Sequence, residues 1–452
     1  MRQFKRVDYE AALEQTVTIR EVLPPDHLAR FVAKVLGLLD LSAFYARYGA
    51  VGGAAYAPEV LLGLLLYGYM TGVFSSRKIE QATRESIPFR YLAGGMHPDH
   101  DTLATFRRTF LDEIAEVFAQ VLVLAHELGA LTLREVSVDG SKIHADASKS
   151  HSVSYGRLLE LEQVLRAEVA ELLQLGEQAD QGALPAEVDL AVEIALREKR
   201  LSNLEHAQEV LEARAKERYA AELATHEAQM REREEKAEQT GRKPGGPAPQ
   251  PPTDSGPRPQ DQYNFTDPDS RIMQNSTDKG FDQHYNGQVG VDHESRLIVG
   301  HTLSNHPTDR GEALPTVAAI PEELGAPEVA VFDAGYWSPD NVAELEQRGI
   351  TPYIATGRDS HHQSWNARFA QAPEPPPEDA SPLVKMAYTL KTTIGKQLYA
   401  LRKSTVEPVI GIIKEVLGFR QFSLRGLTLA AGEWGLVCLA YNLKRLHTLV
   451  LL

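Results

Sequence analysis

Three acids and one lysine in this chain have the type and placement for chemistry on phosphate esters. The stretch VSVDGSKIH (136–144) alternates apolar and small polar residues, then reaches Asp139-Gly140. The alternation predicts a strand, and Asp-Gly predicts a sharp turn at its end. EVAVFDAGY predicts a short, wholly apolar strand ending on Asp333, as a buried parallel strand would. In KSTVEPVIGIIKE, Pro408 sets Glu407 at a helix start or a kink. Lys414 follows seven residues later, about two helical turns, on the same face. If the two strands are neighbours, Asp139 and Asp333 meet at one sheet edge, where α/β sheets place their sites. Carboxylates without Cys or His suit Mg²⁺ or Mn²⁺. Two such ions, about 3.5–4 Å apart, serve phosphoryl transfer by activating the attacking oxygen and stabilising the leaving one. Asp-Gly is also a common turn, so on the residues alone Asp139 reads either as a metal-binding carboxylate or as a turn-maker.

The elements that must position these acids can be read in order. Residues 1–130 carry helix periodicity in PPDHLARFVAKVLGLL, APEVLLGLLLYGYMTG and HDTLATFRRTFLDEIAEVFAQVLVLAHELGAL. They predict an all-α N-terminal domain with a helix-turn-helix flavour. Ser75-Ser76 would cap RKIEQATRE, and Asp101 or Thr102 the long helix after it. A strand over Arg134–Asp139 and a second extended piece over Lys142–Asp146 follow. Residues 156–240 then turn rich in Glu, Ala, Leu, Arg and Gln. Leu158, Leu161, Leu165, Val169 and Leu172 recur at spacings of three and four, which predicts a coiled-coil helical hairpin joined near Gly176–Pro185. Residues 241–261, which include KPGGPAPQPPTDSGPRPQ (243–260), read as a flexible Pro/Gly tether. Strand-like sequence resumes afterwards, so the hairpin reads as an insertion splitting one domain into 131–155 and 262–452. That domain continues with HYNGQVGVD and SRLIVGHTLSN, a helix from Asp309 to Leu324 capped by Thr308, the strand before Asp333, a helix Pro339–Gly349, the strand TPYIATG, and mainly helix from Leu383. Strands joined by short turns predict antiparallel pairs, and those joined through helices predict parallel crossovers. The sum is a mixed five-stranded α/β sheet flanked by helices.

Composition bounds the partners. The 452 residues are 43% hydrophobic, enough for a sizeable core, and no run of about 18 apolar residues occurs. The opening MRQFKRVDYEAALEQ lacks the apolar stretch of a secretory signal. Cys438 is the only cysteine, which excludes an intramolecular disulfide and a cysteine metal site. A cytoplasmic protein is expected. Net charge is −15, against a nucleic-acid partner at first sight. Residues 157–240 hold 20 acids and 11 bases, −9, whereas residues 385–452 hold 10 bases and 3 acids, +7. A basic end beside an acidic middle is compatible with a local phosphate-binding surface.

Several blocks then resemble a known family. VDGSKIHADASKS, TDPDSRIM, YNGQVGVD, VFDAGYWS, VEPVIGIIKEVLGFRQFSLRG and EWGLVCLAYNLKRL are similar to those of DDE transposases of bacterial insertion sequences, in the branch with Pro after the last catalytic Glu. YAPEVLLGLLLYGYMTGVFSSRKIEQ with PDHDTLATFRR resembles that branch's helical N-terminal domain. The resemblance implies a ribonuclease-H-like catalytic core with Asp139, Asp333 and Glu407 as a triad holding two Mg²⁺ or Mn²⁺ ions. It implies cleavage at the element's ends and attack of the freed 3′-OH on target DNA, with no covalent enzyme intermediate. The implied partners are double-stranded DNA, at terminal inverted repeats and target, and a second copy in a synaptic homodimer. Related transposases carry a Tyr, Arg, Glu, Lys signature on the last catalytic helix, which Tyr399, Arg402, Glu407 and Lys414 resemble. The Arg-to-Glu gap is one residue longer here and Lys403 fits the usual gap, so the phosphate-binding cation is Arg402 or Lys403. The runner-up functions are a ribonuclease-H-like nuclease and a host-recruited, non-transposing DNA-binding protein.

Other residues read as structural. Asp292 suits a turn, Asp146 a supporting place near the triad or none, and His144 the strand. His361-His362 has no further ligands nearby in sequence. Trp337 suits packing under the strand before Asp333, and Cys438 the core of an apolar helix. The acidic hairpin suits protein–protein contact better than phosphate contact.

Overall fold

The structure is a computed structural model that describes residues 16, 18–49, 53–179, 189–240, 248–252, 256–275, 280–357 and 374–450. In chain order the helices are α1 (Ile19–Val22), α2 (Leu28–Leu36), α3 (Ser42–Ala46), α4 (Pro58–Met70), α5 (Ser76–Glu85), α6 (Ile87–Leu92), α7 (His100–Thr109) and α8 (Leu111–Glu127). Strands β1 (Glu135–His144) and β2 (Ser152–Ser154) lead to helices α9 (Tyr155–Ala179) and α10 (Leu190–Thr240). Then come β3 (Gln262–Asn264), β4 (Arg271–Gln274), β5 (Phe281–Asp292), β6 (Ile298–Ser304), α11 (Ala313–Ala318), β7 (Val329–Phe332), α12 (Pro339–Gln347), β8 (Thr351–Ile354), α13 (Pro382–Thr389), α14 (Thr393–Gly411) and α15 (Leu427–Val450). The chain divides into two compact units, residues 1–146 with 273–452, and residues 147–272.

The first unit is built on a mixed sheet flanked by helices. Among the described residues its strand order is β4-β5-β1-β7-β8, with β6 also paired to β5. β1 runs antiparallel to β5, and β5 antiparallel to β6. β1 and β7, and β7 and β8, are parallel. The short-turn strands are thus the antiparallel ones and the crossover strands the parallel ones. The sheet has one strand more than the five expected, because β4 is only four residues long and carries too little alternation to be read.

Asp139-Gly140 does not turn the chain. β1 continues to His144 without a break and pairs with β5 from Val136 to His144, with Asp139 opposite Val289 and Gly140 opposite Gln288. The two extended pieces expected on either side are one strand. Gly140 meets a spatial need instead. A Cβ there would run into the Gln288 side chain and come within 2.8 Å of Asp309 Oδ1.

The N-terminal helices begin where expected, with three changes. Asp99, and neither Asp101 nor Thr102, caps α7 by accepting from the Thr102 N–H. The long helix expected there breaks at Phe110, whose backbone leaves the helical range (φ −109°, ψ 33°) and whose ring packs with Phe44, Phe106 and Tyr48. Ser75 precedes α5 but makes no side-chain cap bond. Helix α15 joins these helices to the sheet and packs on α4, α8 and β6. Asn442 both accepts from and donates to Ile298, the Trp434 indole donates to the Gln288 carbonyl, and Cys438 is buried. No helix among the described residues is long and apolar enough to cross a membrane.

The second unit is a helical hairpin closed by a two-stranded ribbon. Helices α9 and α10 pack together through Leu158, Leu165, Leu204, Ala207 and Leu211. The ion pairs Arg166–Glu205 and Arg197–Glu168 fix an antiparallel sense. β2 pairs antiparallel with β3, Val153 facing Tyr263, so both ends of the unit's helical part meet in one ribbon. The stretch read as a flexible tether is fastened where it is described. Arg218 binds Asp261 and the Gly256 carbonyl, Arg258 binds Glu222, and His226 meets the Pro249 carbonyl. Five charged or polar side chains on and beside α10 supply these contacts, which composition alone does not disclose.

Candidate active site

The parallel pairing of β1 and β7 brings two acids level. Partners Glu135/Val329, Val136/Ala330 and Ser137/Val331 share one offset, which carried forward sets Asp139 beside Asp333 on adjacent strands. Neighbouring strands lie about 4.8 Å apart. Each carboxylate is tied to the glycine that follows it. Asp139 Oδ1 accepts from the Gly140 N–H at 2.9 Å, and Asp333 Oδ1 from the Gly335 N–H at 2.7 Å.

Helix α14 brings the third acid and a cation. Its buried residues Leu398, Arg402, Thr405, Val406 and Val409 recur at helical spacing, so one stripe faces the sheet and Arg402 belongs to it. Arg402 Nη1 donates to Asp139 Oδ2 at 2.9 Å, and Nη2 to Glu407 Oε1 at 3.4 Å. Its guanidinium also lies 5.9 Å from the Tyr399 ring centroid, a cation–π distance. Its Nε is buried and has no hydrogen-bond partner among the described residues. Lys403 is exposed, one step round the helix. Glu407 lies off the buried stripe, with nearly half its side chain exposed.

Pro408 does not start α14. It lies inside the helix, so Glu407 is in the last helical turns and not at a start. Pro cannot donate to the carbonyl four residues back, and a π-turn follows at Ile412–Val416. Lys414 sits in that turn, and its Nζ donates to the Lys142 carbonyl on β1 at 2.8 Å. It therefore reaches the strand three residues beyond Asp139 without bonding to an acid of the trio. Burial lowers its pKa, and Arg420 adds to the effect.

Burial also governs Asp139. It pushes the carboxyl up to about 6, against the pull of Arg402 and the Gly140 N–H, while Asp333 and Asp309 add to the rise. Loss of hydration therefore outweighs the ion pair.

Asp309 escaped the sequence reading, which set it at a helix start. Helix α11 begins later, with Glu312 as its N-cap, and Thr308 caps nothing there. Asp309 Oδ1 instead accepts from Asn286 Nδ2 at 2.7 Å and Gln288 Nε2 at 2.8 Å. Lys142 Nζ stands 4.0 Å from it and donates to the Pro307 carbonyl. The available signal was the pair of amides two apart in YNGQV, since two fully buried amides on one strand face need an acceptor.

The remaining residues sit elsewhere. Asp146 pairs with Arg425 at 2.8 Å. Asp292 accepts from the Ser295 N–H and hydroxyl and makes the turn. His144 stacks on His284, ring centroids 4.3 Å apart. Trp337 is half-buried. His361-His362 lies outside the described residues.

The donor set is of the kind a hard cation takes. Two carboxylates already share one positive charge, and Gly140 and Gly335 leave no Cβ beside the acids. Among the described residues no three His, Cys, Asp or Glu side chains converge as ligands on one point. Glu407's position off the buried stripe, with Arg402 between it and Asp139, accounts for that.

An α/β sheet whose adjacent parallel strands set two acids level, faced by a basic helix, is the class of protein that fold and site define. Residues 17–109 match the family Transposase domain (DUF772), and residues 377–447 match the family Transposase DDE domain. Comparison with curated proteins and with solved structures gave no match. The two family matches, in that order along one chain, support a DDE transposase of an insertion sequence. Tyr399, Arg402, Lys403, Glu407 and Lys414 lie inside the second match, and Asp139 and Asp333 lie outside both.

Proposed function

We propose that this transposase cleaves DNA at the ends of an insertion sequence and joins the freed 3′-OH to target DNA, with Asp139, Asp333 and Glu407 holding Mg²⁺ or Mn²⁺. The observation that carries the reading is Arg402, whose guanidinium bonds Asp139, 263 residues earlier in the chain, and Glu407, five residues later. Acids so far apart in sequence are gathered round one positive charge. A ribonuclease-H-like core is the fold reading that agrees with the strand order and with the acids' level placement.

When bound, the cations supply Lewis acidity to the attacking and leaving oxygens. The chain's own residues do the rest. The Gly140 and Gly335 N–H groups hold one oxygen of Asp139 and of Asp333; the second oxygen of Asp333 would face the cation, and that of Asp139 is shared with Arg402. Arg402 and Lys414 supply positive charge for the phosphates flanking the cut, with Tyr399 supporting the guanidinium and exposed Lys403 reaching DNA further out. Residues 1–130 bind the element's ends, and the hairpin of 156–240 serves contact between two copies that hold both ends. The protein acts in the bacterial cytoplasm, on the nucleoid.

The test uses purified full-length protein, a DNA fragment carrying the element's terminal inverted repeats, and a target plasmid. Nicking with a 3′-OH at the repeat ends, followed by joined products only with Mg²⁺ or Mn²⁺, is expected. Cutting without joining would replace this reading with a nuclease. DNA binding without any cutting would replace it with a non-catalytic binding protein.

A further inference from the structure

We propose that Asp309 is a positioning residue for both strand acids, an inference that rests on the triad reading above. Its two oxygens face the two glycines that hold those acids. A Cβ at Gly140 would lie 2.8 Å from Asp309 Oδ1, and a Cβ at Gly335 would lie 3.5 Å from Asp309 Oδ2. Gly140 and Gly335 are the residues whose N–H groups fix Asp139 and Asp333. The Asp309 carboxylate thus fills the space beside both glycines, Gly140 in β1 and Gly335 in the turn after Asp333.

It also sets a buried relay. Gln288 Nε2 donates to Asp309 Oδ1, which turns Gln288 Oε1 towards the Tyr336 hydroxyl that donates to it. Tyr336 closes the short 3₁₀ turn Ala334–Tyr336 that Asp333 caps. Gln288, Asn286 and Tyr336 are all fully buried, so none can exchange these partners for water. Asp309 therefore fixes which way the Gln288 amide points, and through it the turn carrying Asp333. On β1, Gly140 lies opposite Gln288, so the same amide packs against the strand carrying Asp139. Outer hydrogen-bond partners of ligating groups commonly matter ~10–100-fold in metal affinity or activity.

The experiment compares full-length wild type, Asp309→Ala, Asp309→Asn, Tyr336→Phe and Asp333→Ala. Mn²⁺ binding is read by thermal shift against Mn²⁺ concentration, and end cleavage by kcat and KM for the repeat DNA. Asp309→Ala is expected to raise the Mn²⁺ midpoint and lower kcat by ~10-fold or more, leaving KM within about twofold. Asn keeps an oxygen that accepts both amides, so Asp309→Asn recovers most of that loss. Tyr336→Phe, which breaks only the far end of the relay, loses kcat in the same direction and decides the matter if Asp309→Ala fails to fold. Wild-type Mn²⁺ midpoint and kcat in Asp309→Ala or in Tyr336→Phe would overturn the proposal. So would an Asp309→Asn protein as inactive as Asp333→Ala, because the charge itself would then be the requirement. An active Asp333→Ala protein would overturn the triad reading instead, and tells the two failures apart.

Discussion

Arg402 and Asp139 are 263 residues apart in the chain and 2.9 Å apart in space. The pair is mostly buried, and Glu407 shares the same guanidinium. Removing one partner of a buried pair leaves the other charge without compensation. Asp139 can take up a proton in response, which softens the loss. Arg402→Ala is therefore expected to lower metal-free stability by about 2–4 kcal/mol and to slow end cleavage. Lys403→Ala, at an exposed position, should change stability by no more than about 0.5 kcal/mol. Chemical denaturation in chelated buffer separates the two, and equal losses would show that the guanidinium has no special place.

Asp139 also sets a pH dependence. Its folded-state value of about 6 stands above the ordinary 3.8, so the folded protein binds that proton more tightly than the unfolded chain. Metal-free stability from this group therefore falls as pH rises from about 4 to about 6 and is level above, by an amount on the order of 2–3 kcal/mol. Cation binding needs the ionised carboxylate, so Mn²⁺ affinity should rise through the same window. Melting curves of wild type and Asp139→Asn in chelator, from pH 4 to 7.5, isolate the effect as the difference between the two proteins. Parallel curves would remove it.

Gly140→Ala tests the close approach of β1 to Gln288 and Asp309. The added methyl must displace one of them, and overpacking of this kind costs about 1–3 kcal/mol. Thermal melting should show the loss. An alanine tolerated without change would mean the space is not filled as described.

Glu433 anchors the N-terminal helices to the chain after the π-turn. Fully buried, it accepts from the Tyr69 hydroxyl at 2.7 Å and from the Ser423 and Leu424 N–H groups at 2.8 and 2.9 Å, with Arg107 at 3.5 Å. Glu433→Ala strips the acceptor from a buried cation and is expected to cost about 3–5 kcal/mol. A loss under about 1 kcal/mol by denaturant titration would contradict this.

What the sequence disclosed and what it hid follow from range. Alternation in VSVDGSKIH reports a strand because side-chain period is a local property. Whether Asp139-Gly140 turns or runs straight depends on β5, some 150 residues away, whose pairing carries the strand through to His144. Motif spacing favours Lys403 and residue type favours Arg402, so the motif alone does not choose between them. The phase of the buried stripe Leu398, Arg402, Thr405, Val406 and Val409 separates them, but that phase is legible only once α14 is known to run through Pro408. Asp309 was hidden for a related reason. HPTDRGEAL looks like a capped helix, and its carboxylate gains meaning only from Asn286 and Gln288 on another strand and from glycines 140 and 335.

The central claim is that Asp139, Asp333 and Glu407 act together on DNA. Its most direct test is cleavage of a labelled terminal-repeat duplex in Mg²⁺ by wild type, Asp139→Asn, Asp333→Asn and Glu407→Gln, with binding of the same duplex measured by gel shift without metal. The account predicts loss of cleavage by a factor of at least ~10³ in each variant, with duplex binding retained, because each substitution removes a carboxylate without removing volume. Cleavage by any one of the three within about tenfold of wild type would contradict it.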